Sequence, residues 1–121
     1  MDRTMTHERL ARETVAYRGS GGTSEESCGL GFRPAFLNVE TGIVYPSCFA
    51  DGRPAPFHLL DGLPGEVVLL RDAAGRVVVV KPDVVAGFVR EGRFYTRVEA
   101  AEYSQQEMRA ERARAPIFVN A

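Results

Sequence analysis

The chain has no excess of either charge: 15 Lys plus Arg stand against 16 Asp plus Glu, a formal net charge of −1. That balance excludes the basic surplus of a protein built to coat polyanions. Lysine is almost missing. Lys81 is alone among 14 arginines, and isoleucine and asparagine are scarce as well, a bias that a GC-rich bacterial genome produces without functional pressure. The charges do not segregate either. Residues 1–18 carry four cations and three anions, 30–98 carry eight and seven, and 99–115 carry three and four. No apolar run approaches the roughly 18–20 residues of a membrane span. The opening Met-Asp-Arg-Thr-Met-Thr-His-Glu-Arg also lacks the basic-then-apolar layout of a secretory leader. Cysteine is limited to Cys28 and Cys48. They form no C-x-x-C pair, and a zinc site needs four ligands, so neither metal nor cofactor is expected. A cytoplasmic setting then favours free thiols over a disulfide.

What is present is a 121-residue chain that is 45% hydrophobic, too apolar for a disordered tail and sized for one domain. The expected class is α+β: an antiparallel sheet of four to six strands built from β-hairpins, with a C-terminal helix and a weak N-terminal helix. Residues 1–28 are expected to be an appendage, either an N-terminal helix or disordered, with a Gly/Ser linker. Leu10, Ala11, Thr14 and Val15 recur at helical spacing with Thr6 as a possible N-cap, and Gly19 to Ser27 has linker composition. Residues 29–115 form the domain and 116–121 a tail.

Turn chemistry divides the domain. Phe32–Val39 and Ile43–Phe49 flank Glu40-Thr41-Gly42, and Glu66–Arg71 and Arg76–Lys81 flank Asp72–Gly75. The second pair is apolar at consecutive positions, the pattern of strands covered on both faces, so the 66–81 hairpin is expected at the centre of the core. Residues 82–88 fit either a helical turn or a strand. Between the hairpins, 50–65 holds three prolines and two Asp-Gly steps, which forbid a regular strand. A compact loop is expected there, with one helical turn at 57–60. After the tight turn at Glu91-Gly92, Thr96 and Glu99 fit a capping box for a helix starting at Arg97 and fading near Arg114.

Three functional readings follow. The first is a small non-enzymatic interaction or accessory module, binding a protein partner or itself. The second is a nucleic-acid-binding regulator using the hairpin 88–97, where Phe88, Phe94 and Tyr95 interleave with Arg90, Arg93 and Arg97. Strand alternation would turn Phe94 inward and Arg93 and Tyr95 outward. The third is a small enzyme with Cys48 as nucleophile and His58 as base, oriented by Asp61 or Asp51. The candidate binding residues are therefore Arg90, Arg93, Tyr95, Arg97 and His58, with no membrane partner. Gly29-Leu30-Gly31 precedes a strand where a dinucleotide loop would follow one, so it carries no phosphate-binding expectation.

Glu91-Gly92-Arg93-Phe94-Tyr95-Thr96-Arg97-Val98-Glu99 resembles the wing-to-helix junction of mercury-resistance-type transcription regulators. That resemblance implies an Arg and Tyr region near a DNA backbone. It spans nine residues, and Val77–Val80 upstream reads as a strand where that family has a helix-turn-helix.

Overall fold

In a computed structural model, which describes residues 5–23 and 28–114, the first described element is a two-residue strand, β1 (Met5–Thr6), which passes directly into α1 (His7–Tyr17). The Thr6 hydroxyl caps α1 by accepting the Arg9 N–H at 3.1 Å. Then follow β2 (Arg33–Asn38), β3 (Val44–Pro46), β4 (Val68–Arg71), β5 (Val77–Val80), β6 (Val84–Arg90), β7 (Arg93–Thr96) and α2 (Arg97–Arg114). The architecture is α+β, and among the described residues the strands divide between two antiparallel sheets. A three-stranded sheet has the order β1-β5-β4, and a four-stranded one the order β3-β2-β6-β7. The expected tail at 116–121 and linker residues 24–27 lie outside the described residues.

The longest strand, β6, pairs with β2 from Arg33↔Val89 to Asn38↔Val84 and with β7 on its other side. The ambiguous segment 82–88 is thus mostly strand. Its β-branched residues and its two neighbours settle what a single-chain pattern left open. The turn to β7 uses Glu91 and Gly92 at φ 50° and 77°, the left-handed pair of a two-residue hairpin loop. The capping box then starts α2. The Glu99 carboxylate accepts the Thr96 N–H at 2.9 Å, and the Thr96 hydroxyl accepts the Glu99 N–H at 3.1 Å.

Three expectations are corrected. The 66–81 hairpin is central only in part: Val67, Val77 and Val80 belong to the main buried cluster and β5 lies between β1 and β4, but the other strand is not covered on both faces. β4 is the last strand of its sheet, and Leu69 and Leu70 are 53% and 55% exposed, although Val77 and Val80 of β5 are buried. The register slips between Val68 and Leu70 and again between Leu70 and Arg71. Those irregularities break the in-out alternation, so consecutive apolar residues here mean a bulged edge, not two covered faces. The second correction concerns the described part of residues 1–28. Met5 is fully buried and pairs with Val80, and Leu10 packs in the same cluster as Phe36, Leu60 and Val84. A two-residue strand is too short to show a period, and its pairing partner lies 75 positions away in the chain.

The Gly/Ser segment, as far as it is described, is likewise packed down. Gly22 and Thr23 are buried, and a Cβ on Gly22 would fall 2.9 Å from the Arg97 carbonyl oxygen. Glycine here serves close approach to α2 as well as turning. The loop 50–65 holds no helical turn at 57–60. Instead Cys48 bridges to Pro54, and the Ser47 hydroxyl donates to the Phe57 carbonyl and accepts the Leu59 N–H, both at 2.8 Å. Ser47 so replaces the missing ladder partners and drops Leu60 and Leu63 into the core.

Candidate functional site

The capping box makes Arg97 the first residue of α2, and the helix start aims its side chain into the space between α1, β6 and the loop 50–65. The residue is 3% exposed. Its guanidinium donates from Nη1 to the Gly22 carbonyl at 2.9 Å and from Nε to Glu13 Oε1 at 3.2 Å. Nη2 reaches Thr14 Oγ1 at 3.5 Å and His58 Nδ1 at 3.3 Å. The guanidinium carbon lies 5.8 Å from the Phe88 ring centroid. Burial pulls the Arg97 pKa down, and the Glu13 carboxylate, followed by Tyr17, works against that shift. Glu13 is shared with Arg9, whose Nε donates to Oε2 at 3.1 Å.

His58 closes the other side of this junction. Nε2 lies 2.7 Å from the Gly87 carbonyl oxygen, a group that only accepts. Nδ1 faces a guanidinium, which only donates. The imidazole is therefore neutral, with its proton on Nε2 and its lone pair engaged by Arg97. Removal from water lowers its pKa to about 4, with the Arg97 charge as second cause, against the raising effect of the Gly87 and Ala35 backbone. Phe36 and Phe88 meet the ring edgewise, with centroids 5.4 and 5.2 Å away. Both nitrogens are thus used inside the fold.

The remaining candidates sit one layer further out. Arg90 donates from Nε to the Leu30 carbonyl at 2.9 Å, and its guanidinium carbon is 4.8 Å from the Tyr103 ring centroid. Arg93 is exposed, 4.7 Å over the Tyr95 ring, with Glu99 Oε2 at 3.7 Å from Nη2. Tyr95 is half-buried and meets Phe32 edgewise at 5.0 Å. Of the two residues expected to face outward, Arg93 is exposed, whereas Tyr95 packs against Phe32 and against Tyr103 of α2. Arg90 and Arg93 cap an aromatic cluster of Phe32, Tyr95 and Tyr103, while Arg97 belongs to the separate buried junction. The three arginines share no exposed face.

Cys48, His58 and Asp61 are also kept apart in their bonding. The Cys48 thiol donates to the Pro46 carbonyl at 3.3 Å, His58 bonds Gly87 and Arg97, and Asp61 pairs with Arg76 at 3.3 Å. Among the described residues no three His, Cys, Asp or Glu side chains gather to hold a metal ion, and no helix is long and apolar enough to cross a membrane.

Sequence reasoning selected Arg97 and His58 but missed Glu13, Thr14 and Gly22, which hold Arg97. No local signal points to these partners, because Arg97 lies 84, 83 and 75 positions from them. Comparison with family models, with curated proteins and with solved structures finds no match to the chain.

Proposed function

We propose that the protein is a small interaction module that accepts a further strand along β4, from a protein partner or from a second copy of the chain. The observation that carries this is the exposure of Leu69 and Leu70, 53% and 55%, on a strand that ends its sheet. An edge strand presents unpaired backbone groups to any added strand, and adjacent apolar side chains give the added strand something to cover. The cytoplasm of a GC-rich bacterium is the proposed setting, in keeping with Cys28 and Cys48 forming no disulfide with each other. Nucleic-acid binding finds less support, since a phosphate-tracking face needs several exposed cations together. Catalysis by Cys48 and His58 likewise lacks a base with a free lone pair.

Light scattering over a concentration series, alone and with candidate partners, tests the proposal. Wild-type chain is expected to gain mass and Leu69→Lys to stay monomeric. A wild-type mass that stays at 13.3 kDa at every concentration and with every candidate partner overturns it.

A further inference from the structure

Two charges of opposite sign flank β4. Glu66 precedes the strand in a single 3₁₀ turn, Gly65–Val67, and Arg71 is the strand's last residue. Both are exposed. Among the described residues neither pairs with an opposite charge, whereas Glu13, Asp51, Asp61 and Glu99 each hold an arginine. Glu66 Oε1 accepts the Tyr45 hydroxyl at 3.1 Å, and Arg71 Nη1 donates to the Gly75 carbonyl at 3.0 Å. These are bonds to uncharged groups, so both charges stay uncompensated. Asp72, next to Arg71 in the chain, spends Oδ1 on the Ala74 and Arg76 N–H groups, at 2.9 Å each.

Along the edge the order is therefore acid, then Leu69 and Leu70, then base. Such an edge is complementary to itself in one direction only. Laid antiparallel, the start of each copy lies beside the end of the other, and acid meets base twice. Laid parallel, acid meets acid and base meets base, which is unfavourable.

Given an edge that accepts a strand, the reading on which this rests, we propose that the added strand is β4 of a second copy, running antiparallel about a two-fold axis. Glu66 of each chain meets Arg71 of the other at the rim, and the two pairs of leucines cover one another in the middle. The joined sheets then run β1-β5-β4-β4-β5-β1, and each outer edge is the two-residue β1. A self-complementary contact of this kind uses up the edge in both copies, so it gives a dimer and not a fibre. An edge of four residues makes a small interface, so the dimer is weak and its population rises with concentration.

Sedimentation equilibrium of the full chain, alone and over a concentration series, tests the pairing. Wild type is expected to move from 13.3 kDa toward twice that mass. Glu66→Arg and Arg71→Glu each set like charges against one another at both rim contacts, and each is expected to weaken the dimer about tenfold in Kd. Mixed one to one, the two variants are expected to associate as wild type does, because their signs complement. That recovery also shows that both variants are folded. The double exchange in one chain, Glu66→Arg with Arg71→Glu, is likewise expected to restore the dimer, and added salt to weaken it. A wild-type dimer that the single exchanges leave unchanged, or single variants that fail to recover on mixing, overturns the antiparallel pairing. A chain that stays monomeric alone but gains mass with a different protein overturns self-pairing and leaves the accepting edge standing. A mass that stays constant in both settings overturns the edge as well.

Discussion

Between α1, β6 and α2, a buried guanidinium meets a partly exposed carboxylate and a largely enclosed imidazole, each donor facing an acceptor. On β4, two leucines stand over half exposed at the end of a sheet. The two regions obey one rule from opposite ends. A polar group goes inside when long-range partners match its bonds one for one, as Glu13, Thr14, Gly22 and His58 do for Arg97. An apolar group stays outside when its strand runs out of neighbours, whatever its residue type prefers. Position in the fold, more than side-chain character, decides which region is core and which is surface.

The largest effect is expected at Arg97. Arg97→Leu removes the charge but leaves the Gly22 carbonyl, His58 Nδ1 and one oxygen of Glu13 without their donor, while Arg9 keeps the other, so it is expected to lower stability by about 3–5 kcal/mol in urea denaturation. Arg97→Lys recovers little of this, because one ammonium nitrogen cannot serve acceptors spread around a planar fork. An Arg97→Leu chain as stable as wild type would show the junction to be ornamental, and the contrast with β4 would lose its basis.

Next comes acid. His58 is neutral in the folded chain, with a pKa of about 4, against an ordinary 6.5. Its contribution is complete above about pH 6.5 and is lost as pH falls toward 4, because the unfolded chain takes up the proton first. The loss is on the order of 3 kcal/mol. Stability measured down that range is expected to fall less steeply in His58→Gln than in wild type; parallel slopes would place the acid sensitivity elsewhere.

Thr96→Ala removes one half of the capping box and is expected to lower stability by about 1 kcal/mol, with amide exchange rising first in the opening turn of α2. The smallest stability change belongs to the other region. Leu69→Lys, on the exposed edge, is expected to stay within about 0.5 kcal/mol of wild type, even though it removes an apolar side chain larger than most in the core. A loss of several kcal/mol there would mean that β4 is more enclosed than its exposure states.

The local features were legible from residues alone. Glu40–Gly42, Asp72–Gly75 and Glu91-Gly92 lie in turns, Thr6 caps α1, and Thr96 with Glu99 starts α2 at Arg97. Each of these is settled by groups within four positions of one another, which is why a pattern reveals it. The placement of β4 was not legible, because four consecutive apolar residues look the same at a sheet's centre and at a bulged edge. Nor was the burial of Met5, whose partner is Val80.

For the candidate site the division is sharper. Arg97 and His58 stand out in the sequence as a cation and a titratable ring among aromatics, and that much is chemistry carried by the residues themselves. Whether such groups meet solvent or one another depends on contacts 29 to 84 positions apart. By itself, then, the sequence determined the class of fold, the turns, the caps and the limits of α2, all short-range matters of backbone dihedrals and nearby donors. Only the tertiary structure decided that Arg97 is enclosed and Leu69 is not, because burial depends on which distant segments the chain brings alongside.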